Sequence, residues 1–362
     1  MRRAILLGCW LFALSGCSSV AYYAQSARGQ AALLSAARPI DQVVGDPRTS
    51  AAVRERLSAL PELRRFAVSE LALPHSGSFR RYAALDREAA VWSLVAAPPD
   101  GLQPREWCYP VVGCASYRGY FSHDAALEHA DRVRRDGWDV AVDPVPAYST
   151  LGWFDDPLPS TVIDWPLADI AGLVFHELAH EALYLAGDSA FNEAYASVVE
   201  HEGRRRWLQS RGDEAQRRQA DERDRRRADF LQLLSDTRMQ LTALYASSTT
   251  DRAALRTGKV RILGELQQRY RLQKVEWGGY AGYDWWFARP LNNAHFASIS
   301  TYSDWQPALS AMLRQLGGRM DAFHTACRRL ATLPAAVRAR YLDRLAPGSR
   351  GVPHTASVAA AD

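Results

Sequence analysis

A chain of 362 residues, 48% of them apolar, is long enough to bury one large core or two smaller ones, and length does not choose between them. The formal charge of +4 is small for this length, and the basic residues gather in one helical stretch instead of interleaving with aromatics, which argues against nucleic acid as a partner. Eleven tryptophans and fifteen tyrosines would suit a peptide- or sugar-contacting cleft, but core packing is the commoner use of such residues.

At the N-terminus, Arg2-Arg3 precede the apolar run Ala4 to Leu14, the pattern of an export signal. The run is too short for a permanent membrane span, which needs about 20 apolar residues, and no later segment reaches that length. It ends in Leu14-Ser15-Gly16-Cys17, which resembles the bacterial lipobox. That resemblance implies removal of residues 1–16, lipid attachment at Cys17 and, with Ser18 following, sorting to the outer membrane facing the periplasm. More than one acyl chain is needed for stable attachment. Once Cys9 has left with the signal and Cys17 is modified, Cys108, Cys114 and Cys327 remain. In an oxidising compartment Cys108 and Cys114, separated by a short loop with Pro110 and Gly113, are the natural disulfide partners, and Cys327 reads as a buried small apolar residue.

Residues 17–64 read as a tether followed by helices, broken at Pro39 and at Gly45-Asp46-Pro47. Phe66 to Leu73, Phe79 to Leu85 and Ala90 to Ala97 read as three antiparallel strands, bounded by Pro74-His75-Ser76-Gly77 and Pro98-Pro99-Asp100-Gly101. A helix from Asp124 to Arg135, stopped by Gly137, and a strand over Trp138 to Val142 complete an α+β region at 65–157. From residue 158 to 346 the pattern is helical: Leu167 to Leu185, Ala190 to Arg211, Asp213 to Tyr245, then 251–273, 305–316 and 319–345. The charge run Arg217 to Arg227 reads as a solvated helix face, because opposite charges recur at three- and four-residue spacing. Residues 347–362 read as a disordered tail.

The chemistry lies in His176-Glu177-Leu178-Ala179-His180, which on a helix places two imidazoles one turn apart on the same face, with a carboxylate beside the first. The flanking Leu173, Val174, Phe175 and Leu178 make this helix apolar, and burying such polar groups without purpose is expensive. Cysteine is absent nearby, so a zinc site with an open water position fits better than a structural one. The next helix opens with Phe191-Asn192-Glu193-Ala194, and Asn-Glu-Ala resembles the third-ligand signature of thermolysin-like, glutamate-ligated zinc peptidases. This implies a metal set of His176, His180 and Glu193, with Glu177 as catalytic base; the spacer of twelve residues is shorter than usual for that clan, and Glu200 is the rival ligand.

Longer stretches carry a second resemblance: Tyr22-Tyr23-Ala24-Gln25, Trp107-Cys108-Tyr109-Pro110 through Tyr117-Arg118-Gly119-Tyr120-Phe121, Ala147 to Asp156, and Leu291-Asn292-Asn293-Ala294. Together with the metal motif they resemble a family of bacterial lipoproteins known as predicted aminopeptidases. The expectation is therefore an α+β, predominantly helical protein, with a small antiparallel sheet region packed on a zincin-like catalytic half. Its expected chemistry is zinc-dependent hydrolysis of peptide or protein substrates in the bacterial envelope, with aminopeptidase as the favoured subclass. An endopeptidase acting on envelope proteins or cell-wall peptides and a non-catalytic scaffold stabilised by zinc stay open. Ala147 to Phe154 is expected as an edge strand binding peptide backbone, with Tyr148 and Trp153 as substrate contacts beside Asn293 and Tyr302. Tyr302, Tyr195 and His295 are candidates for stabilising an oxyanion, and Asp155 and Asp156 for a free ammonium group.

Overall fold

The computed structural model describes residues 20–109, 113–148, 150, 152–247, 251–297 and 305–346. Cys17, Tyr302 and the tail at 347–362 lie outside the described residues. Helix α1 covers 20–36 and leads into strand β1 (Ala37–Pro39) and the short α2 (Ile40–Gly45). Helix α3 (Ala51–Ser69) starts at Ser50, whose hydroxyl accepts from the Val53 amide at 3.3 Å, an N-cap that satisfies an otherwise orphaned donor. Leu57, Leu60, Leu63, Phe66 and Ala67 are all buried along one stripe of it. The stripe overturns the strand expected at Phe66 to Leu73: β-forming residues there continue the helical period of the preceding leucines, and tertiary burial overrides their propensity. The boundary expected at residue 64 falls inside this helix.

Two of the three expected strands survive, in different sheets. Phe79 to Leu85 contracts to β2 (Arg81–Ala83), because Phe79 takes a positive φ of 58° while its amide donates to the Asp156 carbonyl. Strand β2 lies antiparallel to β1, Ala37 facing Ala83, and parallel to the two-residue β8 (Leu158–Pro159). Strand β3 (Val91–Ala97) is central in a second sheet, antiparallel to β6 (Arg118–Tyr120) and β7 (Asp139–Val145). Helix α4 (His123–Arg135) covers it, burying Ala126, Ala130 and Val133 against Trp92 and Leu94. Between these strands β4 (Trp107–Tyr109) and β5 (Gly113–Ala115) form a hairpin in which Cys108 and Cys114 face each other and are joined as a disulfide.

The largest core belongs to helices. Helix α5 (Leu167–Ala182) buries residues on nearly every side, and α6 (Ser189–Arg211) lies along it. Their close approach rests on Gly203, where a Cβ would stand 2.5 Å from the Phe175 ring. Phe66 stacks on Phe175 and meets Trp207 edge-on, which ties α3 to both helices. Further along, α7 (Glu214–Tyr245) and α8 (Arg252–Glu276) pair through Leu233, Leu234, Leu241, Ile262 and Leu266. After the short α9 (Asp284–Phe287) and α10 (Asn293–Ala297) come α11 (Gln306–Gln315), α12 (Met320–Ala331) and α13 (Ala335–Leu345). The single helix expected over 319–345 is thus two, since Pro334 has no amide to extend α12 and instead precedes α13. The buried Cys327 sits in this core. The charge run on α7 is more than a solvated face: Arg223 pairs with Asp169, Arg227 lies near Glu200, and Asp224 meets the buried Arg204. No described helix is long and apolar enough to cross a membrane.

Candidate metal centre

Positions 176 and 180 lie one helical turn apart on α5, so both imidazoles project from one face toward α6. Their Nε2 atoms stand 3.2 Å apart. The Glu193 carboxylate closes the triangle, at 3.4 Å from His176 Nε2 and 3.8 Å from His180 Nε2. Glu200, one face-repeat further along α6, instead meets the other side of His176, its Oε2 at 3.0 Å from Nδ1. The two glutamates are therefore not interchangeable: Glu193 faces the point where the imidazoles converge, and Glu200 orients one ring from behind, as carboxylates do for metal-bound histidines.

The tight connection between the helices is what brings Glu193 into place. Asn192 spans it, its Oδ1 accepting from the Leu185 amide and its Nδ2 donating to the Leu185 carbonyl, both at 2.8 Å. The Asp188 side chain caps α6 by accepting from the Phe191 amide at 3.0 Å. A spacer shorter than in familiar glutamate-ligated sites is thereby closed by the residue that precedes the glutamate.

Electrostatics follow from burying this many polar groups together. Burial opposes a charge on His176, but hydrogen bonds to Glu193 and Glu200 outweigh it and push the ring up to about 10. Burial and the neighbouring His176 charge push His180 down to about 4, leaving it neutral. Burial, reinforced by Glu193, Asp156 and Glu200 against the opposing pull of His176, raises Glu177 to about 7. Glu177 is 7% exposed and makes no hydrogen bond or ion pair among the described residues.

These residues fit a metal ion. The ligand atoms of His176, His180 and Glu193 all lie within 4.8 Å of one another. Two nitrogens and one carboxylate oxygen form a zinc-type donor set that leaves a fourth position open. Glu193, Glu200 and Glu177 all favour positive charge at His176, so the carboxylates around this point suit a cation.

Other candidates are elsewhere. Tyr195 is fully buried with its hydroxyl 2.8 Å from His324 Nδ1. Because His324 Nε2 must donate to the Leu71 carbonyl, Nδ1 accepts and the phenol is committed to the core. Asn293 is also a bracket and not a substrate contact: its amide nitrogen donates to the carbonyls of Pro98 and Gly101, and its oxygen accepts from Tyr245. His295 bonds with Asn292 and packs on Trp286. No strand forms over the described part of 147–154; β7 ends at Val145, and the Tyr148 hydroxyl donates to Gln30 of α1. Trp153 is left exposed on this loop.

Asp156 holds the loop together, accepting from the Thr150 amide at 2.7 Å and its hydroxyl at 2.9 Å. Burial raises its carboxyl from 3.8 to about 6 despite those bonds. Since the folded state then holds the proton more tightly than the unfolded chain, this group's contribution is fully present below 3.8 and declines as pH rises to about 6. Asp156→Asn is expected to remove that decline. Urea denaturation of both proteins across this range should give stability curves that converge toward acid, and parallel curves would refute the assignment.

Spacing alone did not reveal Tyr117 and Tyr184. Both rings are exposed, Tyr117 at 39% and Tyr184 at 38%, yet desolvation by the protein around them and then the charge of Glu193 raise both hydroxyls, and Tyr117 also feels Glu177. The disulfide hairpin brings Tyr117 here: Gly113, at φ +79°, sits so close to the α5–α6 loop that a Cβ would lie 3.1 Å from the Gly187 amide nitrogen. Tyr117 was legible only within the longer stretch around Arg118-Gly119-Tyr120.

A histidine–glutamate cluster that could hold a metal ion thus lies between two antiparallel helices of a mainly helical scaffold. Residues 21–342 match the model of the family described as putative aminopeptidase, and the chain belongs to that family. No curated protein and no solved structure matches it.

Proposed function

We propose that the chain is a zinc-dependent peptidase of the bacterial envelope that trims peptides from free N-termini. The observation that carries this reading is the convergence of His176, His180 and Glu193 on one point, with the buried and uncommitted Glu177 beside it. A zinc ion held by those three residues would supply the Lewis acidity that lowers the pKa of water and polarises the scissile carbonyl. Glu177 accepts the proton of the attacking water and returns it to the leaving amine. Glu200 keeps the His176 ring in register from its Nδ1 side. The Tyr117 hydroxyl, which feels the charges of Glu193 and Glu177 and sits on the hairpin that approaches the α5–α6 loop, would be the donor for the oxyanion. Contact of the disulfide hairpin with the loop at Gly187 supports a site closed on that side, as an exopeptidase requires.

Metal analysis of the chain lacking residues 1–17, paired with hydrolysis of a mixed peptide library, tests the reading. About one zinc per chain, and activity lost on chelation and recovered on adding zinc, are expected. Stepwise trimming from N-termini supports the aminopeptidase; internal cuts would assign an endopeptidase, and metal without cleavage a scaffold. Tyr117→Phe should lower kcat by about 10²-fold with KM little changed. An unchanged kcat would remove Tyr117 from the mechanism. For location, Cys17 carrying acyl chains in the mass spectrum of the mature protein is expected, and an unmodified Cys17 would discard the anchor.

A further inference from the structure

On the face of α5 turned away from the histidines, a second feature has no part in the reading above. Leu178 lies about 200° around the helix from both His176 and His180, and it lines a cavity of about 930 Å³ between α3, α6 and the loop at 74–80. Five arginines, Arg64, Arg65, Arg80, Arg206 and Arg211, line this cavity against two glutamates, Glu62 and Glu70. Two are already neutralised, Arg211 by Glu62 at 2.6 Å and Arg206 by Glu202 at 2.6 Å. Arg64, Arg65 and Arg80 make no ion pair among the described residues.

Arg64 is the informative member. It is partly buried, its guanidinium donates to the Ser76 carbonyl at 2.5 Å, and it faces the like charge of Arg80. Burial followed by Arg80 lowers its pKa, and the more weakly felt charges of Asp155 and Glu181 only partly offset this, so the fold holds a cation where a cation is disfavoured. Such an arrangement is relieved by an anion. A single carboxylate would leave most of the positive charge unmatched, whereas a phosphate monoester brings nearly two negative charges and three acceptor oxygens to guanidinium forks that suit it.

We propose that the groove of Arg64, Arg65 and Arg80 is a binding site for a phosphate group, on the opposite side of α5 from the metal centre. The site is independent of the peptidase reading, and the two stand or fall separately.

The test is calorimetric titration of the intact, metal-loaded chain with inorganic phosphate at constant ionic strength, with acetate as the monoanionic control. Saturable binding of phosphate but not acetate, weakened at least tenfold in Arg65→Gln/Arg80→Gln, is expected. These two side chains are exposed, so the variant should fold, and melting temperature checks that it does. Phosphate bound at the metal would be unaffected by the double substitution; that result, or no saturable binding, overturns the proposal. Sedimentation with phosphatidylcholine vesicles, with and without phosphatidic acid, then separates two sources. Arginine-dependent capture by the acidic vesicles identifies a lipid headgroup, and phosphate binding without capture identifies a soluble phosphoryl ligand.

Discussion

Glu177→Gln is expected to reduce peptide hydrolysis by about 10³-fold or more while leaving the zinc content unchanged. The amide is isosteric and touches none of the three proposed ligands, so the metal set of His176, His180 and Glu193 keeps its geometry. It cannot take a proton from water, and general-base contributions are commonly about 10²–10⁴-fold. The same change should leave stability unaltered or higher. Glu177 is 7% exposed among other carboxylates, and replacing a buried acid of raised pKa with a neutral group removes a desolvation cost. Activity and stability thus move in opposite directions, which a residue needed only for folding would not do. Steady-state kinetics, metal analysis and urea denaturation on one preparation read all three quantities. Hydrolysis within tenfold of the original would exclude Glu177 as the base.

Arg338→Ala carries the largest expected effect on stability, although the residue lies far along the chain from the metal motif. Arg338 is 5% exposed on α13, with Nε and Nη2 donating to Asp188 Oδ2 and Nη1 donating to the Leu333 carbonyl at 2.8 Å. Asp188 in turn caps α6 through its other oxygen. Truncating the arginine leaves a half-buried carboxylate without its partner, and breaking a buried pair in this way costs about 3–5 kcal/mol. Because Asp188 sits less than two turns before Glu193, metal affinity should also fall about tenfold, as it does when a supporting contact to a ligand is lost. Arg338→Lys should recover only part, since one ammonium cannot reproduce the guanidinium's divided contacts. Denaturation midpoints and zinc titration check both effects; a stability loss under about 1 kcal/mol would show that the pair is not a clamp.

Both substitutions act on the same hairpin of α5 and α6, which also shows why parts of this molecule are readable in one dimension. The motif at 176–180 is local, because a helical period converts a four-residue spacing into two side chains on one face. Elements with strong periodicity followed suit: α4, α6, α7 and β3 fall close to their expected bounds. The segment Phe66 to Leu73 misled because aromatic and β-branched residues suit either a strand or a buried helix, and packing against Phe175 and Trp207 decides between them.

Roles requiring long-range contacts were not available from spacing. Asn293, Tyr195 and Tyr148 are plausible site residues by type, yet each has its polar atom engaged by a distant element: Pro98 and Gly101, His324, and Gln30. Conversely, Tyr117 and Arg338 carry no local signature and reach their places through the disulfide hairpin and the last helix.

The candidate centre was therefore written in consecutive residues: two histidines and a glutamate within one turn and a half of helix, and an Asn-Glu pair at the start of the next. Which glutamate meets the imidazoles was decided only in three dimensions. Glu193 and Glu200 share a face of α6, but the Asn192 clasp on Leu185 and the Asp188–Arg338 pair set how that helix lies against α5. In that arrangement Glu193 falls opposite the Nε2 atoms and Glu200 behind the His176 ring, a difference of position that only packing can create.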